Sequence, residues 1–124
     1  MLINNFTVTD IGVFSSENVD YVRYAQTVAH KIADNAAEFG ILCCGSGVGV
    51  NIAANRICGV RAVRCGPNDH ELVRIARQHN DVNIITFGAN FITSEDAVGA
   101  LKIFFQTAFL KLSRYQRRNK MLDQ

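Results

Sequence analysis

The chain has 124 residues, of which 48% are hydrophobic and 19% charged, with a single proline. This length suits one domain with a real apolar core, and the composition excludes an intrinsically disordered segment. The net charge of +2 is too small to argue for nucleic acid or a membrane surface, no apolar stretch reaches transmembrane length, and four cysteines without a Cys-x-x-Cys pair exclude the usual zinc frameworks.

In chain order, Phe6-Thr7-Val8-Thr9-Asp10-Ile11 alternates like a strand, and GVFSSEN after it supplies loop residues. The opening MLINNFTVTD lacks a basic-then-apolar secretory pattern, so Cys43, Cys44, Cys58 and Cys65 are expected to be free thiols in a reducing cytoplasm. Asp20 is a predicted N-cap for a helix with Tyr21, Ala25, Val28, Ala29 and Ile32 on one face. Gly40-Ile41-Leu42-Cys43-Cys44 is a short continuous apolar run, expected as a strand buried on both faces. Val50, Ala53 and Ala54 predict a short helix ending near Cys58-Gly59. A strand over residues 60–64 follows, then the turn residues Gly66-Pro67-Asn68-Asp69. Leu72, Ile75, Ala76 and His79 share a predicted helical face, residues 82–87 read as a strand, and Thr93-Ser94-Glu95-Asp96 reads as a helix start. The face of that last helix, Ala97, Leu101, Phe104, Phe105, Ala108 and Leu112, runs toward the basic tail KLSRYQRRNK. Strands alternating with helices give a Rossmann-like α/β fold of three layers, a parallel sheet flanked by helices in a single domain.

The stretch CCGSGVGV sits between a predicted strand and a predicted helix, where such sheets hold ligands. A dinucleotide fingerprint requires a sixth-position glycine, which here is Val50, and a Walker loop requires a lysine that is absent. Two readings survive: a small anion hole with Cys44 and Ser46 at its lip, or a tight strand-to-helix turn with buried thiols. Side chains alternate along a strand, so Cys43 and Cys44 are not equivalent. Cys44 abuts the glycines and would gain from backbone donors, which makes it the better candidate for reactivity. Cys58 and Cys65 read as small core hydrophobes, and His30 and His70 as surface residues.

His79, in RIARQHNDVN, is either a buried imidazole on an apolar face or a functional group at a polar junction with Asn80 and Asp81. Arg114 and Arg118 are four apart, on one side of a helix, with Lys111 one turn earlier. They form either a solvated face or a clamp for phosphate, and no second basic stripe supports nucleic acid.

GILCCGSGVGVNIAANRICGVRAVRC, followed by ARQHNDVNIITFGANFI, resembles ribose-5-phosphate isomerase type B and the related galactose-6-phosphate isomerase subunits. SSENVDYVRYA and the arginine-bearing tail match as well, so the resemblance covers nearly the whole chain. It implies aldose–ketose isomerisation of a sugar phosphate through an enediol(ate), with neither metal nor cofactor. Cys44 would be the base moving a proton between C1 and C2, and Gly45, Ser46, Gly47, Val48 and Gly49 would line the loop that steadies the oxyanion. His79 would assist ring opening, Asn80 would contact the sugar, and Arg114 and Arg118 would hold the phosphate. A homodimer or dimer of dimers with shared active sites is implied, without nucleic-acid or membrane partners. The thiol favours the ribose-5-phosphate branch over the galactose-6-phosphate subunits.

Several positions depart from the family pattern. The family opens with a strand and helix carrying an Asp-His pair in a GxDHxG-like motif, and Met1 aligns just before the family's second strand, so the resemblance implies an isomerase-like α/β domain over residues 1–124 that is shortened N-terminally. Asn90 stands where a phosphate-binding arginine is usual, Tyr115 replaces a histidine between the tail arginines, and CGPNDHELV is about two residues longer than the matching loop. A non-catalytic sugar-phosphate-binding or subunit-pairing protein on the same scaffold is the competing reading. The joint presence of Cys44, Ser46, His79, Arg114 and Arg118 favours catalysis, because a bare scaffold has no need of all five.

Overall fold

A computed structural model describes residues 6–13 and 19–124. The helix α1, Tyr21–Ala33, starts after Asp20 and buries Ala25, Ala29 and Ile32. It leads to the strand β1, Gly40–Cys44, and then to the helix α2, Val48–Asn55. The strand β2, Ala62–Cys65, the helix α3, His70–Asn80, and the strand β3, Ile84–Gly88, follow. The helices α4, Ser94–Gln106, and α5, Ser113–Leu122, complete the chain. The three strands form one parallel sheet in the order β1-β3-β2, with Gly40 opposite Ile84 and Ala62 opposite the same residue.

Three layers result, as the alternation of elements predicts. One core joins α1 and α2 to the sheet through Ala25, Ala29, Leu42, Val50, Ala54 and Ile84. The other joins α3 and α4 to the opposite face through Cys65, Val73, Ile85, Phe87, Ala100 and Phe104. The central strand β3 is buried along its whole length, with Ile84 and Thr86 belonging to one face and Ile85 and Phe87 to the other. Phe104 is fully buried and packs edge-on against Phe39, so its truncation to alanine would cost about 3–5 kcal/mol. Thr93 caps α4 as its sequence predicts, its Oγ1 accepting from the Asp96 N–H at 3.1 Å.

The structure corrects several expectations. Residues 6–11 form no strand, and Phe6 instead lays its ring on Phe105 with centroids 4.5 Å apart. The loop reading of GVFSSEN falls partly on residues 14–18, outside the described residues. β1 is not buried on both faces: it is an edge strand, and Ile41 (46% exposed) and Cys43 face outward because helices cover only its other side. α2 ends at Asn55 rather than near Cys58, and β2 begins two residues later than expected. α3 buries Val73, Ala76 and Arg77, leaving Leu72 and Ile75 exposed, because the sheet and α4 claim a stripe one residue further round. The apolar face expected to reach Leu112 breaks after Gln106, where Arg77 donates to the Thr107 carbonyl and Leu110 N–H to that of Gln78. Cys58 is exposed and donates to the Asp123 carbonyl, and His70 is half-buried with Nε2 3.1 Å from the Asp96 carbonyl.

Candidate active site

The loop between β1 and α2 lies at the carboxyl edge of the sheet, where parallel strands leave a crevice. Gly47 takes φ +75°, and a side chain there would lie 2.7 Å from the Phe87 carbonyl carbon, so only glycine lets the loop pass this close to β3. Thr86, fully buried in the otherwise apolar β3, donates to the Gly47 carbonyl at 3.0 Å and accepts from Asn51 at 3.2 Å. Ser46 Oγ accepts from the Val48 N–H at 3.2 Å, and Arg64 donates to the Ser46 carbonyl at 2.7 Å.

These anchors aim N–H groups at Cys44. The Gly47 N–H donates to its Sγ at 3.1 Å. Partial burial pushes this thiol up, but the N–H groups of Val50, Gly47 and Ser46 and the Ser46 hydroxyl outweigh it and leave Cys44 below the ordinary cysteine range. The other edge-strand thiol behaves oppositely. Burial and the neighbouring Cys44 raise Cys43, despite a hydrogen bond from the Ala89 N–H. Buried Cys65 is pushed up to about 11 by desolvation, with Asp69 adding to the rise. Cys44 is therefore the thiol whose surroundings favour the thiolate. Gly45 and Val48 are exposed on it, Gly49 packs against the Tyr21 ring, and the Asn90 N–H ties it to the next loop through the Gly45 carbonyl at 3.1 Å.

The remaining candidates gather elsewhere. α3 runs back from the carboxyl edge, so His79 and Asn80 at its end lie at the amino edge. There Arg61, which precedes β2, donates to the Asn80 carbonyl at 2.8 Å. Asn119 of α5 donates to the His79 carbonyl at 3.3 Å and accepts from Asn80 Nδ2 at 3.4 Å. The His79 imidazole stacks on Tyr115 with centroids 4.5 Å apart, and the Arg114 guanidinium lies over the same phenol ring at 4.6 Å. Arg118 is exposed one turn along from Arg114, whereas Lys111 precedes α5 and does not extend that helical face. One five-residue strand, roughly 16 Å at 3.3 Å per residue, separates this cluster from Cys44. A single chain thus keeps the thiol with its glycine loop at one edge, and the imidazole and tail arginines at the other.

Sequence reasoning missed Thr86, Asn119, Arg64 and the stacking role of Tyr115. Two carried a signal: a threonine inside IITFG and an arginine inside AVRC are polar residues within strands. Among the described residues no three His, Cys, Asp or Glu side chains converge as a metal site, and no helix is long and apolar enough to cross a membrane.

The family model described as Ribose/Galactose Isomerase matches residues 1–122. Ribose-5-phosphate isomerase B of Escherichia coli (strain K12) is 44% identical over 88 residues, which take in 71% of this chain and 58% of that protein. The chain therefore spans less than two thirds of that relative. The crystal structure of a ribose 5-phosphate isomerase from Thermotoga maritima superposes with a TM-score of 0.89 at 41% identity, covering 98% of this chain and 82% of the other. That of ribose-5-phosphate isomerase B from Mycoplasma genitalium with bound ribulose-5-phosphate gives 0.87 at 33% identity, covering 98% and 80%.

Proposed function

We propose that this chain, which belongs to the ribose/galactose isomerase family, interconverts ribose 5-phosphate and ribulose 5-phosphate. The observation that carries the reading is the Cys44 thiol, lowered by backbone donors and placed beside the glycine loop. The thiolate takes the proton from C2 of the open-chain aldose, and the electron pair forms the C1–C2 double bond while the C1 carbonyl oxygen gains negative charge. The loop of Gly45, Ser46, Gly47, Val48 and Gly49 lines the place of that enediolate oxygen and steadies it. The protonated thiol returns its proton to C1, the proton of the C2 hydroxyl passes to the C1 oxygen, and the C2 carbonyl of the ketose results. Protons are conserved, so no co-reactant enters.

His79 assists opening of the furanose ring, Asn80 contacts the sugar, and Arg114 and Arg118 hold the phosphate. These groups reach Cys44 from a second protomer, since their own protomer holds them a strand's length away. A homodimer with two shared sites, alone or paired into a dimer of dimers, is the assembly this requires. Exposed Ile41 and Cys43 on β1 and exposed Leu72 and Ile75 on α3 offer the apolar surface such an interface needs.

The test is direct. Ribose 5-phosphate incubated with the purified chain should yield ribulose 5-phosphate, with galactose 6-phosphate run in parallel. Cys44→Ala should lower turnover by about 10²–10⁴ while ribose 5-phosphate still binds. Turnover by Cys44→Ala at the wild-type rate would remove the thiol from the reaction.

A further inference from the structure

Arg64 stands in a strand whose other members are Ala62, Val63 and Cys65, and its side chain crosses the glycine loop at the carboxyl edge. Two contacts fix it: Nε donates to the Ser46 carbonyl at 2.7 Å, and the guanidinium carbon lies 5.8 Å from the centre of the Phe91 ring. Neither terminal NH2 group has a hydrogen-bond partner among the described residues, and no carboxylate there approaches within ion-pair distance. Arg61 and Arg77, the other arginines withdrawn from solvent, are both paired with aspartates. Arg64 is half-buried and, among the described residues, without an ion-pair partner.

A neutral donor would hold the Ser46 carbonyl equally well, and the Phe91 ring 5.8 Å away supplies no counter-ion for the charge. Withdrawing a guanidinium from water without a counter-ion is unfavourable, and an arriving anion would relieve it. The donors that lower Cys44 are N–H and O–H groups of the loop, and Arg64 is not among them. A sugar phosphate has the matching form, because it reacts at one end and bears its charge at the other. We infer that Arg64 is a substrate-binding residue whose free Nη groups grip the phosphate from the protomer that carries Cys44. The identity of the ligand rests on the isomerase reading. The presence of an anion site does not.

The experiment uses the full chain, wild type and Arg64→Gln, titrated calorimetrically with inorganic phosphate and separately with ribose 5-phosphate. Alkylation of Cys44 by iodoacetamide, mapped by peptide mass, reports whether the loop is intact. Arg64→Gln should weaken both ligands about tenfold or more and raise KM by a similar factor, with kcat changed far less. Its Cys44 alkylation rate should match wild type, and Arg64→Lys should recover part of the affinity. Phosphate affinity within twofold of wild type in Arg64→Gln, or no phosphate binding by wild type, would overturn the inference. So would a loss of affinity accompanied by slowed alkylation, which would make Arg64 a support for the loop. Arg64-dependent phosphate binding without isomerisation would sink the isomerase reading and leave the anion site standing.

Discussion

At the carboxyl edge, Cys44 is surrounded by backbone: N–H groups of a loop held by Gly47 at φ +75° and by the buried Thr86 hydroxyl. At the amino edge, His79 is surrounded by side chains: the Tyr115 ring, the Arg114 guanidinium above that ring, and the Asn119 amide behind its carbonyl. Backbone donors cannot be removed by a side-chain substitution, so the first site is reached through its thiol, its glycines or the Ser46, Thr86 and Arg64 side chains that hold the loop. The second is built from side chains, exposed or half-buried except for the buried Asn119, that each substitution alters alone. The proposed active centre draws on both edges, a thiol held by backbone donors and a clamp built of side chains, and the sheet keeps the two apart within one chain.

The largest expected effect tests that separation. Cys44→Ala and His79→Ala are each expected to be inactive as homodimers. Mixed and re-equilibrated in equal amounts, they should recover about a quarter of wild-type activity, because half the dimers are mixed and one of the two sites in each keeps both groups, as a two-fold interface dictates. Activity that stays at the sum of the two parents would place Cys44 and His79 in one protomer's site or in none.

Next comes Gly47→Ala, which strikes the backbone-built site alone. An alanine there must adopt a left-handed conformation and meet the Phe87 carbonyl carbon, a strain of at least about 1–2 kcal/mol. As the loop shifts, Cys44 loses the 3.1 Å donor, and the midpoint of its pH-dependent alkylation should move up toward the ordinary cysteine range. The sign in stability follows. A folded-state pKa below the unfolded value contributes stability at alkaline pH that is lost as pH falls through the folded value. The stability gap between wild type and Gly47→Ala, measured by urea unfolding, should therefore be widest at alkaline pH and narrow as pH falls. An unchanged alkylation midpoint would mean that the loop donors do not hold the thiolate.

Much of this was legible in the sequence, and the reasons differ by element. The glycine loop and β1 were readable because a short apolar run followed by closely spaced glycines has few structural solutions. The Thr93 cap was readable because the contact is local. The stripe on α3 was readable at Ala76, which is buried as expected, but Leu72 and Ile75 satisfy a helical period as well as Val73 does, and only tertiary packing decides between them. Phe6–Ile11 alternates like a strand, yet β-propensity needs a partner strand, and none of the described strands pairs with it. The separation of His79 from Cys44 follows from a helix returning antiparallel to its strands, which motif order does not express. Tyr115 was noted only as a departure, because stacking between α3 and α5 depends on a contact 36 residues apart in sequence.

That stack supports the smallest prediction. Tyr115 touches His79 through its ring face and Arg114 through both face and hydroxyl, the Arg114 Nη2 donating to Oη at 3.2 Å. Tyr115→Phe removes only the hydroxyl, so Arg114 loses one exposed hydrogen bond while His79 keeps its ring partner. Tyr115→Ala removes the ring and frees both. Exposed aromatic and cation–π contacts are worth about 0.5–1 kcal/mol, which converts to a few-fold change in a kinetic constant. Tyr115→Phe should therefore raise KM about twofold with kcat retained, whereas Tyr115→Ala should also lower kcat a few-fold, because a swinging imidazole meets the furanose oxygen less often. The imidazole proton resonances of His79 supply a readout independent of turnover: the ring-current shift imposed by the phenol should persist in Tyr115→Phe and vanish in Tyr115→Ala. Equal kinetic effects from the two variants would assign the contribution to the hydroxyl and Arg114, and leave the His79 stack without a part in positioning.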